Sequence, residues 1–256
     1  MKHFLVLLFV SYAVPAIAQM PSGTFNYAFT NTPLWDTSGI YTNNSETNGV
    51  MDTTVVQIQE SATGQITGDR SERDVEGENF ADIDGPVAGT ISVKAGVLTA
   101  SLKSSGDVNG VEDGVSFTGH ATGKSIETLD TNLLIITTSG VEKVCPTGGK
   151  CVTEAGTETS PLPPTMNGDW TLDTGITAAG DKLTGTGTLT LSNARSLSYQ
   201  IDGSYSTKTQ VAKLKLVGTG DAAGTSLLVT TFGVAMELTS LKGKVLGQKP
   251  TFVAAP

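Results

Sequence analysis

Seven carboxylates fall between Asp69 and Asp84, the densest chemical signal in this chain: Asp69, Glu72, Asp74, Glu76, Glu78, Asp82 and Asp84, with Arg70 and Arg73 among them. Hard oxygen ligands on a flexible segment are what calcium takes. Asp74, Glu76, Glu78, Asp82 and Asp84 are therefore the candidate cation ligands. Their spacing does not follow the EF-hand pattern, which fixes Asp, Asn, Gly and a distant Glu at set offsets. Like charge at this density also keeps a loop solvated, with no ion needed. Asp107-Val108-Asn109-Gly110 with Glu112-Asp113-Gly114 is a second oxygen-rich stretch, and it reads as turn chemistry.

Catalysis has few footholds. His120 is the single histidine after residue 3, so it is the one possible base for a Ser-His-Asp arrangement. Alternation in Val115–Ala121 puts it on a polar face with Ser116 and Thr118, and no Gly-x-Ser-x-Gly elbow is present. No catalytic residue is nominated. A carboxylate-only hydrolase needs just two suitably spaced acids, and 25 acidic residues give no way to choose the pair. Aromatic residues crowd near the start: Phe25, Tyr27, Phe29 and Trp35, followed by Tyr41. Phe25, Tyr27 and Phe29 share one face of a strand, either packing on a core or, with Trp35, forming a platform for a glycan or other ligand.

Cys145 and Cys151 are the only cysteines, and the Pro and two Gly between them supply a turn. In an exported chain this spacing predicts a disulfide rather than a zinc or redox site. Export is itself predicted. Lys2, an apolar run from Phe4 to Val14 and Ala16-Ile17-Ala18 have the order of a signal peptide at residues 1–18, cleaved after Ala18. No later segment is long and apolar enough to form a membrane-spanning helix. The destination is the medium, the periplasm or the cell surface.

The elements that must position these residues are strands. Period-2 alternation runs through Val97–Lys103, Leu183–Leu191, Tyr199–Tyr205 and Val211–Leu216, with one apolar and one wet face. Gly-Asp, Asn-Gly and Asp-Gly pairs punctuate them. Two echoes suggest duplication. Gly89–Gly110 matches Gly203–Gly224 at an offset of 114, through the Gly, Lys, Val, Leu and Asp positions. Leu133–Val141 matches Leu227–Val234 through Leu-Leu, Thr-Thr and Gly-Val. The expected fold is all-β and antiparallel, with two related β-meander repeats in a barrel- or sandwich-like assembly. Repeat 1 spans 19–152 with insertions at about 68–86 and 111–132. A Pro-rich linker at 153–167 lies outside the sheets, and 168–256 is the minimal second repeat. The shortness of that repeat favours one continuous assembly.

Residues 19–164 carry a net charge of −12 and residues 165–256 a net +2. An acidic chain without a basic face is no partner for nucleic acid. The leading expectation is a non-enzymatic secreted or cell-envelope β-scaffold, binding an extracellular ligand, glycan or envelope component, or serving a structural role. The first alternative is a barrel carrying an apolar ligand in a lumen lined by Ile201, Tyr205, Leu214 and Leu216. The second is an extracellular carboxylate hydrolase. An outer-membrane barrel fits the alternation, but the chain lacks two aromatic girdles and a terminal aromatic residue.

Overall fold

A computed structural model describes residues 20–47, 49–94, 97–130, 135–161 and 166–254; residues 1–18, expected to be a signal peptide, lie outside them. The first nine strands are β1 (Gly23–Phe29), β2 (Gly39–Thr47), β3 (Val50–Glu60), β4 (Gln65–Glu76), β5 (Asn79–Lys94), β6 (Val97–Glu112), β7 (Val115–Asp130), β8 (Ile135–Pro146) and β9 (Val152–Pro161). The rest are β10 (Trp170–Ala179), β11 (Lys182–Leu191), β12 (Ser196–Ser206), β13 (Val211–Thr219), β14 (Ser226–Phe232), β15 (Glu237–Lys244) and β16 (Thr251–Val253).

They form two eight-stranded antiparallel sheets. The first is an uninterrupted meander from β2 to β9. The second runs β1-β10-β11-β12-β13-β14-β15-β16, so the whole first sheet is inserted between the first two strands of the second. Both sheets curl, and in both a side-chain contact joins the two edges. In the second sheet, Phe29 of β1 meets Phe252 of β16 edge to face, with ring centroids 6.0 Å apart. In the first, the Asn43 side-chain amide on β2 donates to Glu158 on β9 at 3.1 Å. No ladder joins the two sheets among the described residues, which corrects the expectation of one continuous assembly. Each sheet curls mainly around its own side chains, with Leu34 of the connector and Ala62 of the β3–β4 turn packed into the second-sheet cluster.

The second sheet is filled by a single apolar cluster that includes Tyr27, Phe29, Trp170, Tyr199, Leu214, Leu216 and Leu227. The first sheet has two smaller clusters. One, near the junction with the second sheet, contains Trp35, Ile58, Ile66, Leu98 and Leu129. The other, at the far end, contains Ile83, Val108 and Ala121. The residues between them are polar.

The echoed segments fall as follows. Gly89 and Gly203 lie on β5 and β12, the fourth strands of their sheets, and each begins a hairpin to the fifth. Gly89 pairs with Leu102 and Gly203 with Leu214. A Cβ on either glycine would stand 2.8 Å from the δ-methyl of its partner leucine, so both positions require a bare backbone. The second echo differs. Its described part lies on β8, seventh in its sheet, against β14, sixth in the other. These are non-equivalent places, because Leu and Thr in alternation suit any half-buried strand.

The expected insertions are strands. Residues 68–86 belong to β4 and β5 around a two-residue turn at Gly77-Glu78, and 115–130 are β7. Of the expected linker, residues 153–161 belong to β9, the edge of the first sheet, and residues 162–165 lie outside the described segments. An edge strand tolerates proline at its end because no further strand needs its N–H.

Candidate functional site

Along β4 the even-numbered residues from Ile66 to Asp74 face inward and are buried or half-buried. The β3–β4 register then places Val56 opposite Arg70, Thr54 opposite Glu72, and Asp52 opposite Asp74. Arg70 reaches across the inner face. Its guanidinium bonds Glu142 on β8 through two nitrogens, at 2.6 and 2.7 Å, bonds Ser104 on β6 at 3.3 Å, and also bonds Glu72. Space for this crossing comes from Gly123, which lies opposite both Ser104 and Glu142. A Cβ there would crowd the Ser104 hydroxyl and stand 3.6 Å from the Arg70 guanidinium.

Carboxylate oxygens of Asp52, Glu72 and Asp74 all come within 4.8 Å of one another. Burial, followed by the charges of Glu72 and Asp52, pushes the Asp74 carboxyl up to about 6. Burial also raises Glu72, against the lowering effect of Arg70. The cation ligands nominated from sequence do not converge. Asp74 joins Asp52 and Glu72 on the inner face. Glu76, Glu78 and Asp84 are exposed, and Asp82 pairs with Arg73 at 3.3 Å on the other face.

At the other end of the first sheet lies the junction with the second. The connector 30–38 between β1 and β2 crosses it. Gln248, after β15, clamps the main chain of Trp35: its carbonyl accepts from Trp35 N at 3.1 Å and its amide donates to Trp35 O. Asp36 is buried and accepts from Arg195 at 2.9 Å, from Asn193 at 3.1 Å, and from its neighbour Ser38 N at 2.9 Å. Thr37 donates from both its N and its hydroxyl to Oε2 of Glu60, at 2.8 and 2.9 Å. Oε1 of Glu60 has no partner. Burial, with the nearby charge of Asp36 and against the Thr37 hydrogen bonds, pushes Glu60 up to about 8. At the junction a turn of each sheet meets the other, with Leu246 N donating to the Ala62 carbonyl at 2.6 Å and glycine packed on glycine. Gly64, with φ at 84°, sits on Gly247, and a Cβ there would be 2.5 Å from the Gly247 Cα.

Two hollows open at this junction. A cleft of about 300 Å³ is walled by Thr32, Pro33, Trp35, Val93, Gln248 and Lys249, among others. A smaller recess of about 30 Å³ lies on the first-sheet side, against Tyr41, Glu127, Leu129 and Met166. Trp35 and Leu98 line both.

Of the aromatic residues singled out from sequence, Tyr27 and Phe29 are buried in the second-sheet core and Phe25 packs against it. Phe29 stacks on Trp170 at 3.9 Å. Trp35 reaches both hollows, and Tyr41 lines the recess. Cys145 and Cys151 are disulfide-bonded and close the turn after β8. His120 is exposed on the outer face, 3.8 Å from Asp107, its cross-strand neighbour. Sequence reasoning missed Asp52, Glu60, Glu127, Glu142 and Gln248. Their roles depend on strand register, and no local motif marks them.

Compared with known proteins, the chain matches no family model, no curated protein and no solved structure.

Proposed function

We propose that this protein is a non-enzymatic, exported binding protein that holds its ligand in the cleft between its two sheets. The observation that carries this reading is the cleft itself. At about 300 Å³ it has the size of a small-molecule site, and it lies between two separately cored units, where such sites concentrate. Among the described residues, Lys249 is the one charged residue in its wall, and no carboxylate, histidine or cysteine lines it. Such a wall offers hydrogen bonds and apolar contact but no acid–base pair. The disulfide and the N-terminal sequence support export, since such bonds persist in oxidising compartments. No helix among the described residues is long and apolar enough to cross a membrane.

The geometry does not favour the two alternatives. Ile201, Tyr205, Leu214 and Leu216, expected to line an apolar lumen, are at most 4% exposed and form part of the filled core. The converging carboxylates Asp52, Glu72 and Asp74 lie beside Arg70, which is bonded to Glu72 and Glu142, and away from the cleft.

The test is native mass spectrometry of the mature protein after incubation with a small-molecule extract of the medium. A retained mass is expected, and it should be lost in Val93→Trp, which fills the cleft from an exposed wall position. Retention of nothing, or equal retention by Val93→Trp, overturns the reading.

A further inference from the structure

The recess beside the cleft has four polar wall residues: Asp36, Thr37, Tyr41 and Glu127. Three are satisfied. Asp36 is held by Arg195, Asn193 and Ser38. Thr37 donates to Glu60, and the Tyr41 hydroxyl donates to the Thr37 carbonyl at 2.7 Å. Glu127, on β7, has no hydrogen bond or ion pair among the described residues. The rest of the wall is apolar or aromatic: Trp35, Leu98, Ala100, Leu129, Ile136 and Met166. The Glu127 side chain is half-buried, so its carboxylate is partly stripped of water without a protein partner, and burial raises its affinity for a proton. A cation offsets that loss better than a neutral donor, and the faces of Trp and Tyr rings attract the same charge.

Resting on the binding role proposed above, we infer that the recess takes the primary ammonium head of the ligand, paired with Glu127 against Trp35 and Tyr41, while the ligand's body passes Trp35 into the cleft. The size of the recess decides the class of head group. About 30 Å³ is room on the scale of a water molecule or an ammonium group, and too little for a trimethylammonium. The Gln248 clamp holds the main chain of Trp35, which lines both hollows. The ligand class is therefore a primary amine.

Calorimetric titration of the mature protein with hexylammonium, hexanol and hexyltrimethylammonium tests this. Hexylammonium should bind at least tenfold more tightly than either of the others. Glu127→Gln should remove that preference without lowering the melting temperature, since it also removes a desolvated charge. Equal affinity for hexylammonium and hexanol, tighter binding of the trimethylated probe, or a preference that survives in Glu127→Gln overturns the inference. If hexanol binds and Val93→Trp abolishes its binding, the cleft reading stands even where the ammonium preference fails. If no probe binds the wild-type protein, the ammonium assignment falls, and the retained-mass experiment alone decides the cleft.

Discussion

Arg70 on β4 and Glu142 on β8 are joined by two parallel hydrogen bonds, at 2.6 and 2.7 Å, although three strands lie between them in the sheet. The pair acts as a strut across the concave face, between the two apolar clusters of the first sheet. Its partners are only 13% and 23% exposed, so screening by solvent is limited. Arg70→Met should destabilise the protein by about 3 kcal/mol, because Glu142 and Glu72 are left half-buried without their cation. The double variant Arg70→Met with Glu142→Met should recover part of that loss, since Glu72 stays without its cation. Urea denaturation of both measures the coupling, and additive losses would show the strut to be unimportant.

Gly123 makes the strut possible. Gly123→Val should cost about 2 kcal/mol, the scale of overpacking, since its side chain would compete with the Ser104 hydroxyl and the Arg70 guanidinium. Gly140 is the control. A Cβ there meets nothing closer than 3.5 Å, so Gly140→Ala should be nearly neutral. Similar losses in both variants would argue against a specific clearance at Gly123.

Glu60 sets a pH dependence with a definite sign. Its ordinary value of 4.5 is raised to about 8 in the folded protein. Between those values the folded carboxyl keeps a proton that the unfolded chain has released. Stability is therefore fully present below the lower value and is lost as pH rises through the window. Asp74 acts in the same direction between 3.8 and about 6. Glu60→Gln should flatten thermal stability between about pH 6 and pH 8, and Asp74→Asn should flatten it at lower pH. A wild-type melting temperature that climbs across this window would contradict both assignments.

Gln248→Ala should destabilise the protein by about 2 kcal/mol, because the buried N–H and C=O of Trp35 both lose a partner. It should also broaden the Trp35 indole resonance, which reports on the ring between the cleft and the recess. An unchanged spectrum would show that the clamp does not hold the ring.

Reduction of the Cys145–Cys151 bond should cost about 2 kcal/mol, in line with a short closed loop. Thiol labelling of the unreduced, denatured protein should find no free cysteine. A melting temperature indifferent to reductant would show that the turn after β8 is held by its ladder alone.

What was legible in the sequence is what depends on near neighbours. Alternation at Val97–Lys103 and Tyr199–Tyr205 announced strands, and the Pro and Gly residues between Cys145 and Cys151 announced a closed turn. The polar face assigned to His120 is likewise a local property. Register is not local. Asp52 faces Asp74 only because the β3–β4 turn fixes the count between them, and nothing in either stretch of sequence signals it. The acidic run at 69–84 resembled a loop because its charges outnumber its apolar residues. It is a strand pair because alternate charges find the Arg70 network inside and water outside. The second echo misled for a related reason: β8 and β14 share a composition, not a position.

The insertion of one sheet between β1 and β10 has a consequence for synthesis and export. Tyr27 finds its hydrogen-bond acceptor, the carbonyl of Met236, 209 residues downstream. The β2–β9 meander is built from sequential hairpins and can pair as it emerges. β1 has no ladder partner until β10 arrives, so its aromatic face must wait uncovered through the emergence of an entire sheet. Such a waiting strand is an aggregation hazard during folding. A holdase that shields residues 23–29 would therefore raise the yield of folded protein without touching the finished molecule.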